Sequence, residues 1–188
     1  MKKGIFTILM LSIATTFSAQ TCDELKLENQ QLKDKLQQYG ITLNSNTTVN
    51  SFSNDIKINF IKCIGDKKQQ TVTVFFNFTN DTLPNQSLTL MNNFFDGRNA
   101  LYAGALDEIG NGYQPLKAKF GPNDGFFSTT PLSTGNTPVL ASITFANILP
   151  DVKKLSAVNF FVKSQNLLGG DNKIEGLVEI KNINIDWK

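Results

Sequence analysis

From Ile56 onward, apolar residues recur at every second position in short runs. Ile56, Ile58 and Phe60 alternate with Lys57 and Asn59, and Val72, Val74, Phe76 and Phe78 alternate with Thr71, Thr73 and Asn77. Successive strand side chains point to opposite faces, so this spacing predicts strands with one buried and one wet face. The pattern continues through Leu88–Leu90, Leu101–Leu106, Tyr113–Phe120, Val139–Phe145 and Val158–Val162. The last run, Ile174 to Trp187, changes phase. Ile174, Val178 and Ile180 are even-numbered, while Ile183, Ile185 and Trp187 are odd, which predicts a bulge near Lys181 or Asn182. Asp107-Glu108-Ile109-Gly110-Asn111-Gly112 reads as a turn, and residues 147–155 as a loop or single helical turn. Seven or eight short strands with no amphipathic helix between them predict an all-β antiparallel sandwich over residues 56–188.

The preceding segments differ in kind. CDELKLENQQLKDKLQQY, from Cys22 to Tyr39, is built from strong helix formers and is stopped by Gly40, so residues 22–40 are expected to be helical. Leu25, Leu32 and Tyr39 recur every seven residues, with Cys22, Asn29 and Leu36 on the alternating positions. The stripe has two readings. It can form a short coiled coil, a weak homodimer through Leu25, Asn29, Leu32 and Leu36 in which Asn29 favours parallel pairing. The favoured reading is that it docks on the domain that follows. Residues 41–55, ITLNSNTTVNSFSND, are rich in Asn, Ser and Thr and are expected to be a flexible linker.

Residues 1–19 carry the order of a secretory signal peptide: Lys2 and Lys3, an uncharged run from Gly4 to Phe17, then Ser18-Ala19. The run is shorter than the ~20 apolar residues a spanning helix requires, so no transmembrane segment is expected, and the protein is expected to be secreted or periplasmic. Cleavage removes two of the 18 basic residues and leaves 16 against 16 acidic ones. A neutral chain lacks the basic footprint of a nucleic-acid binder, so no nucleic-acid partner is expected. An oxidising compartment suits a disulfide between Cys22 and Cys63. If the even positions of the strand at Ile56 face inward, Cys63 shares the outer face with Lys57, Asn59 and Ile61, where a folded-back helix could present Cys22. A Cys22–Cys22 bond between two copies is the rival.

The run VTVFFNFTN (Val72–Asn80), the turn LDEIGNGY (Leu106–Tyr113) and the stretch LSTGNTPVLASITFANILPDVKKLSAVNFFV (Leu132–Val162) resemble bacterial extracytoplasmic immunoglobulin-like sandwich domains. The leader, short Leu-rich helix and terminal Ile-x-Ile-x-Trp are also similar to small secreted proteins of unknown function. The resemblance covers residues 56–187 and implies an antiparallel immunoglobulin-like sandwich of seven to eight strands. It carries over no catalytic residue.

The chain contains no histidine, which removes Ser-His-Asp and Cys-His nucleophiles and the usual catalytic zinc sites. No catalytic residue, cofactor or metal ligand is expected. Asn123-Asp124-Gly125 and Gly169-Gly170-Asp171-Asn172 hold oxygen donors, but tight turns select the same residues. Phenylalanine occurs 15 times, in four doublets: Phe75-Phe76, Phe94-Phe95, Phe126-Phe127 and Phe160-Phe161. A doublet within a strand places one ring on each face. Phe126 and Phe127 lie in the long loop between Gly121 and Pro138 and are expected to be poorly packed, forming a contact surface for a protein or glycan partner. The expected function is a non-catalytic binding or structural module of unknown ligand. The alternative is a carbohydrate-binding module, which needs Tyr102, Tyr113 and Trp187 to cluster. A small carboxylate-dependent hydrolase would need two acids facing each other across one cleft.

Overall fold

The computed structural model describes residues 22–38, 46–81, 84–96, 99–135, 137–167 and 173–188. The expected signal peptide, residues 1–19, and the first part of the expected linker lie outside them. Helix α1 spans Cys22–Gln38, with Lys35 in its last turn where a cation complements the helix dipole. Leu25, Leu27 and Leu32 are exposed, Leu32 at 52%, so at these positions the stripe is not buried on the sandwich. The side chains of Asn29 and Leu36 lie outside the described set.

The first strands are β1 (Thr48–Asn50), β2 (Ile56–Asp66), β3 (Thr71–Asn80), β4 (Gln86–Met91) and β5 (Asn93–Asp96). They are followed by β6 (Asn99–Tyr102), β7 (Gly104–Asp107), β8 (Gly112–Tyr113), β9 (Pro115–Phe120) and β10 (Asn123–Asp124). The last are β11 (Thr129–Leu132), β12 (Val139–Ala146), β13 (Lys154–Asn166), β14 (Lys173–Asn184) and β15 (Asp186–Trp187). One sheet runs β1-β14-β13-β4-β11, with β7 also on β13 and β8 on β7. The other runs β10-β9-β12-β3-β2-β15, and β5-β6 form a separate hairpin. Pairing is antiparallel except between β15 and β2. The fold is thus an all-β sandwich with an N-terminal helix.

The inner faces close on one core. Val72, Val74, Phe76 and Phe78 of β3 are fully buried and meet Val158, Phe160 and Val162 of β13 and Val178 and Ile180 of β14. The Phe76 and Phe160 rings stack across the two sheets with centroids 4.7 Å apart, and Phe78 leans on Phe120 at 5.1 Å. Aromatic pairs of this kind add about 0.5–1.5 kcal/mol beyond their area burial.

The expected phase change in the last run is present, but the expected bulge is not: Leu155–Ile183 and Ala157–Lys181 keep one register between β13 and β14. Val178 and Ile180 are buried on one side of the change and Ile183 on the other, and Asn182 between them adopts φ 59°. The shift carries the chain from one sheet to the other, ending in β15, where Trp187 lies over Gly65. A Cβ on Gly65 would come within 2.3 Å of the indole, which is why this position is glycine.

Three further expectations are corrected. First, β2 contains a bulge between Phe60 and Lys62 with Ile61 as the extra residue, so the strand changes phase at that point. Lys62 turns outward and Cys63 turns into the core at 3% exposure, as a free thiol. Burial, reinforced by the charge of Asp186, pushes this thiol well above the ordinary cysteine range, which suppresses the thiolate that disulfide exchange needs. The outward-facing Cys63 expected to bridge to Cys22 is therefore not found. Second, the described part of the linker is ordered. Thr48–Asn50 pairs with Glu179–Lys181, and the Thr47 hydroxyl donates to the Asn182 carbonyl at 3.0 Å. Third, the loop from Gly121 to Pro138 contains β10 and β11, and β11 forms the edge of the larger sheet beside β4.

Candidate binding face

The outer face of the six-stranded sheet is built by cross-strand register, which puts paired residues side by side on one face. One transverse row runs Asp124, Lys119, Ser142, Phe75, Lys62 across β10, β9, β12, β3 and β2. The neighbouring row runs Lys117, Thr144, Thr73, Ile64. The alternation of β3 fixes this arrangement: Phe76 and Val74 go inward, so Phe75 and Thr73 must go outward. The bulge in β2 supplies the rest, because without it Lys62 would point into the core.

Phe75 is half-buried at the centre of the face, with the Lys62 ammonium 5.2 Å from its ring centroid. A cation at that distance is drawn to the ring face by its quadrupole. Thr73 and Thr144 share a hydrogen bond between their hydroxyls at 2.9 Å. Two adjoining depressions flank the ring. One of about 380 Å³ is lined by Thr73, Phe75, Lys117, Lys119, Asp124, Ser142 and Thr144. The other, of about 220 Å³, extends past Phe75, Thr73 and Lys117 to Asp66, Gln69 and Leu116. The groove therefore has a hydroxyl floor, an aromatic ring at its centre, Lys117 and Lys119 on the β9 side, Ile64 and Asp66 on the β2 side, and Lys62 over the ring.

A second cavity, about 290 Å³, lies between the turn after β7 and the turn before β13, lined by Asp107, Glu108, Ile109, Asp151, Val152 and Lys153. Its acids invite a test of the hydrolase idea. The Asp107 carboxylate accepts from the Ile109 and Asn111 amides at 3.0 and 2.8 Å, and from Asn111 Nδ2 and the Tyr113 hydroxyl at 2.8 Å each. Burial pushes its pKa up, but these four donors outweigh burial and hold the carboxyl below its usual range. Burial, reinforced by Asp107, raises the Tyr113 phenol. All four acceptor sites of the carboxylate are occupied by the turn itself, so Asp107 is the turn's anchor.

The other residues singled out by sequence separate. Phe126 is half-buried and packs against the core, so it is not the poorly packed ring expected of it. Phe127 is 55% exposed and adopts φ 65°, tied by its amide to the Leu90 carbonyl at 2.7 Å. Tyr113 is committed to Asp107, and the Trp187 indole donates to the Val152 carbonyl at 2.7 Å while its ring covers Gly65. Tyr102 is exposed on the β5–β6 hairpin. Tyr113 and Trp187 thus act as internal pegs, while Tyr102 is exposed. Asn123 Nδ2 donates to the Thr129 carbonyl and the Thr130 hydroxyl, closing its own loop. The loop 169–172 lies outside the described residues. Among the described residues, no three His, Cys, Asp or Glu side chains form a group that could hold a metal ion, and no helix is long and apolar enough to cross a membrane.

Sequence reasoning sent one ring of the Phe75-Phe76 doublet outward but did not single out the Phe75 face. One signal was present: Phe75 is the single aromatic in an otherwise hydroxyl- and amide-bearing outer row, Thr71, Thr73, Phe75, Asn77, Thr79.

No family model matches the chain, and no curated protein does. Among solved structures, the chain is similar to the N-terminal domain of PorA at 14% identity and a TM-score of 0.32, covering 71% of this chain and 97% of that one. A likeness at that level carries no inference about function.

Proposed function

We propose that the protein is an exported, non-catalytic binding module that presents the outer face of its six-stranded sheet to an extended ligand. The observation that carries this reading is the continuous groove centred on Phe75, where two depressions meet over a floor of Thr73, Ser142 and Thr144. Binding sites combine apolar surface with a few placed polar groups, and this face offers both. The leader-like residues 1–19 support export, and the saturated Asp107 carboxylate supports a non-catalytic role. The packing of two largely antiparallel sheets supports the immunoglobulin-like kinship suggested by the sequence. Carbohydrate is the favoured ligand type, through Phe75 and its hydroxyl neighbours rather than through Tyr102, Tyr113 and Trp187.

The test is a glycan array probed with residues 20–188 and with Phe75→Ala in the same chain. Binding by the unmodified protein that is lost in the variant supports the reading. Binding unaffected by Phe75→Ala rules this face out.

The exposure of Leu25 and Leu32 favours self-association of α1 over docking. Under this second reading α1 pairs two copies weakly, and Leu32→Asp makes the protein monomeric in sedimentation. A monomeric unmodified protein at high concentration contradicts it.

A further inference from the structure

The walls of the groove differ chemically from its floor, and that difference points to the ligand class. Lys62 rises on the β2 side, where the Phe75 ring holds its ammonium at 5.2 Å. Lys117 and Lys119 rise on the β9 side, both exposed, and both line the same depression. Between them lie Thr73, Ser142 and Thr144, whose hydroxyls both donate and accept. The acids in reach are Asp124, the cross-strand partner of Lys119, and Asp66, whose Oδ1 accepts from the Lys68 and Gln69 amides at 2.8 and 3.0 Å. Asp66 and Asp124 together offset two of the three ammonium groups. The groove and its rim therefore keep a surplus of one positive charge in a mature chain that is formally neutral as a whole.

Resting on the binding-module reading, we propose that this groove takes an acidic glycan, a chain whose sugar units carry carboxylates. The sugar hydroxyls bond to the threonine and serine floor, and the carboxylates meet the ammonium groups of Lys117 and Lys119 on the β9 side and of Lys62 beside the Phe75 ring. A row of lysines separated by a hydroxyl strip fits a polymer with charges repeating along its length better than it fits a single small anion. Lysine serves here as a mobile point charge, suited to carboxylates that sit at variable depth. Phe75 has two tasks: it offers apolar surface to a sugar ring, and it orients Lys62.

The experiment compares polygalacturonate with its fully methyl-esterified form, which keeps the sugar backbone and removes the charge. Calorimetric titration of residues 20–188 should show polygalacturonate binding at least tenfold tighter than the ester. Its affinity should fall as salt rises, because exposed charge pairs are screened. The triple variant Lys62→Gln/Lys117→Gln/Lys119→Gln should lose at least tenfold in affinity with an unchanged unfolding midpoint. Lys154→Gln/Lys163→Gln, on β13 of the other sheet, should bind as the unmodified protein does.

Equal binding of acid and ester, abolished by Phe75→Ala, overturns the acidic class while leaving a glycan-binding face. Polygalacturonate binding that survives the triple variant, or falls equally in the β13 control, overturns the groove as its location. No binding of either polymer overturns the acidic-glycan inference, and Phe75-dependent binding of some other glycan on the array would still preserve the binding-module reading.

Discussion

The two outer faces of the sandwich start from the same sequence device and end differently. Each central strand carries a phenylalanine doublet, Phe75-Phe76 in β3 and Phe160-Phe161 in β13, and each sends one ring into the common core. On β13 the outward ring, Phe161, is only 2% exposed. It lies in register between Met91 of β4 and Leu177 of β14, and the β5–β6 hairpin leaves β4 directly after Met91 and runs against β13. On β3 the outward ring has Ser142 and Lys62 as its register neighbours and remains half-buried beside two depressions. Apolar register neighbours, with the β5–β6 hairpin alongside β13, accompany a covered ring on one face. Polar neighbours leave the other ring half-buried beside open depressions. An outward aromatic is thus explained by its cross-strand partners, and only then by its own identity.

Replacing the outward rings sharpens this contrast most. Phe161→Ala should destabilise the fold by about 3–5 kcal/mol, as for a fully buried ring, whereas Phe75→Ala should cost well under half as much. Denaturant melts of the two variants check it, and equal losses would break the comparison. Next in size is Gly65→Ala. Its Cβ would press on the Trp187 indole and displace β15 from the edge of the open sheet, at a cost of about 1–3 kcal/mol. Restoration of stability by a smaller residue in the double variant Gly65→Ala/Trp187→Leu would identify the clash as the cause; no restoration would place it elsewhere.

A smaller effect separates the ends of the molecule by pH. The Asp107 carboxyl is held below its ordinary value in the fold, so the stability it supplies is present above the unfolded-state value near 3.8. That contribution is lost as pH falls through the lower folded-state value. Asp107→Asn should lower the midpoint at neutral pH and flatten the acid-side decline below about pH 4. An unchanged acid limb would show that other carboxylates govern it. Smallest of all on stability is Lys62→Gln, an outer-face change expected to shift it by no more than about 0.5 kcal/mol while weakening ligand binding.

Much of this fold was legible because alternation in β3, β12 and β13 leaves one register that buries the apolar set. The phase change near Asn182 was legible too, since clear apolar positions stand on both sides of it. The bulge in β2 was not. Ile61 is apolar and fits either face, so nothing marks it as the extra residue, and the misassigned phase turned Cys63 outward on paper. Phe126 and Phe127 failed for a related reason: a loop has no fixed period, and only the left-handed backbone at Phe127 decides which ring leaves the core. The candidate face was the least legible part. Its residues come from β2, β3, β9, β10 and β12, separated along the chain and united only by register.

The central claim is that ligand meets the outer face of the six-stranded sheet. Amide chemical-shift mapping during titration with a polygalacturonate oligomer tests it most directly. The account predicts perturbations concentrated at Lys62, Thr73, Phe75, Lys117, Lys119, Ser142 and Thr144, with β13, β14 and the β5–β6 hairpin unmoved. Perturbations centred on Phe161, Leu177 or Tyr102 instead would contradict it.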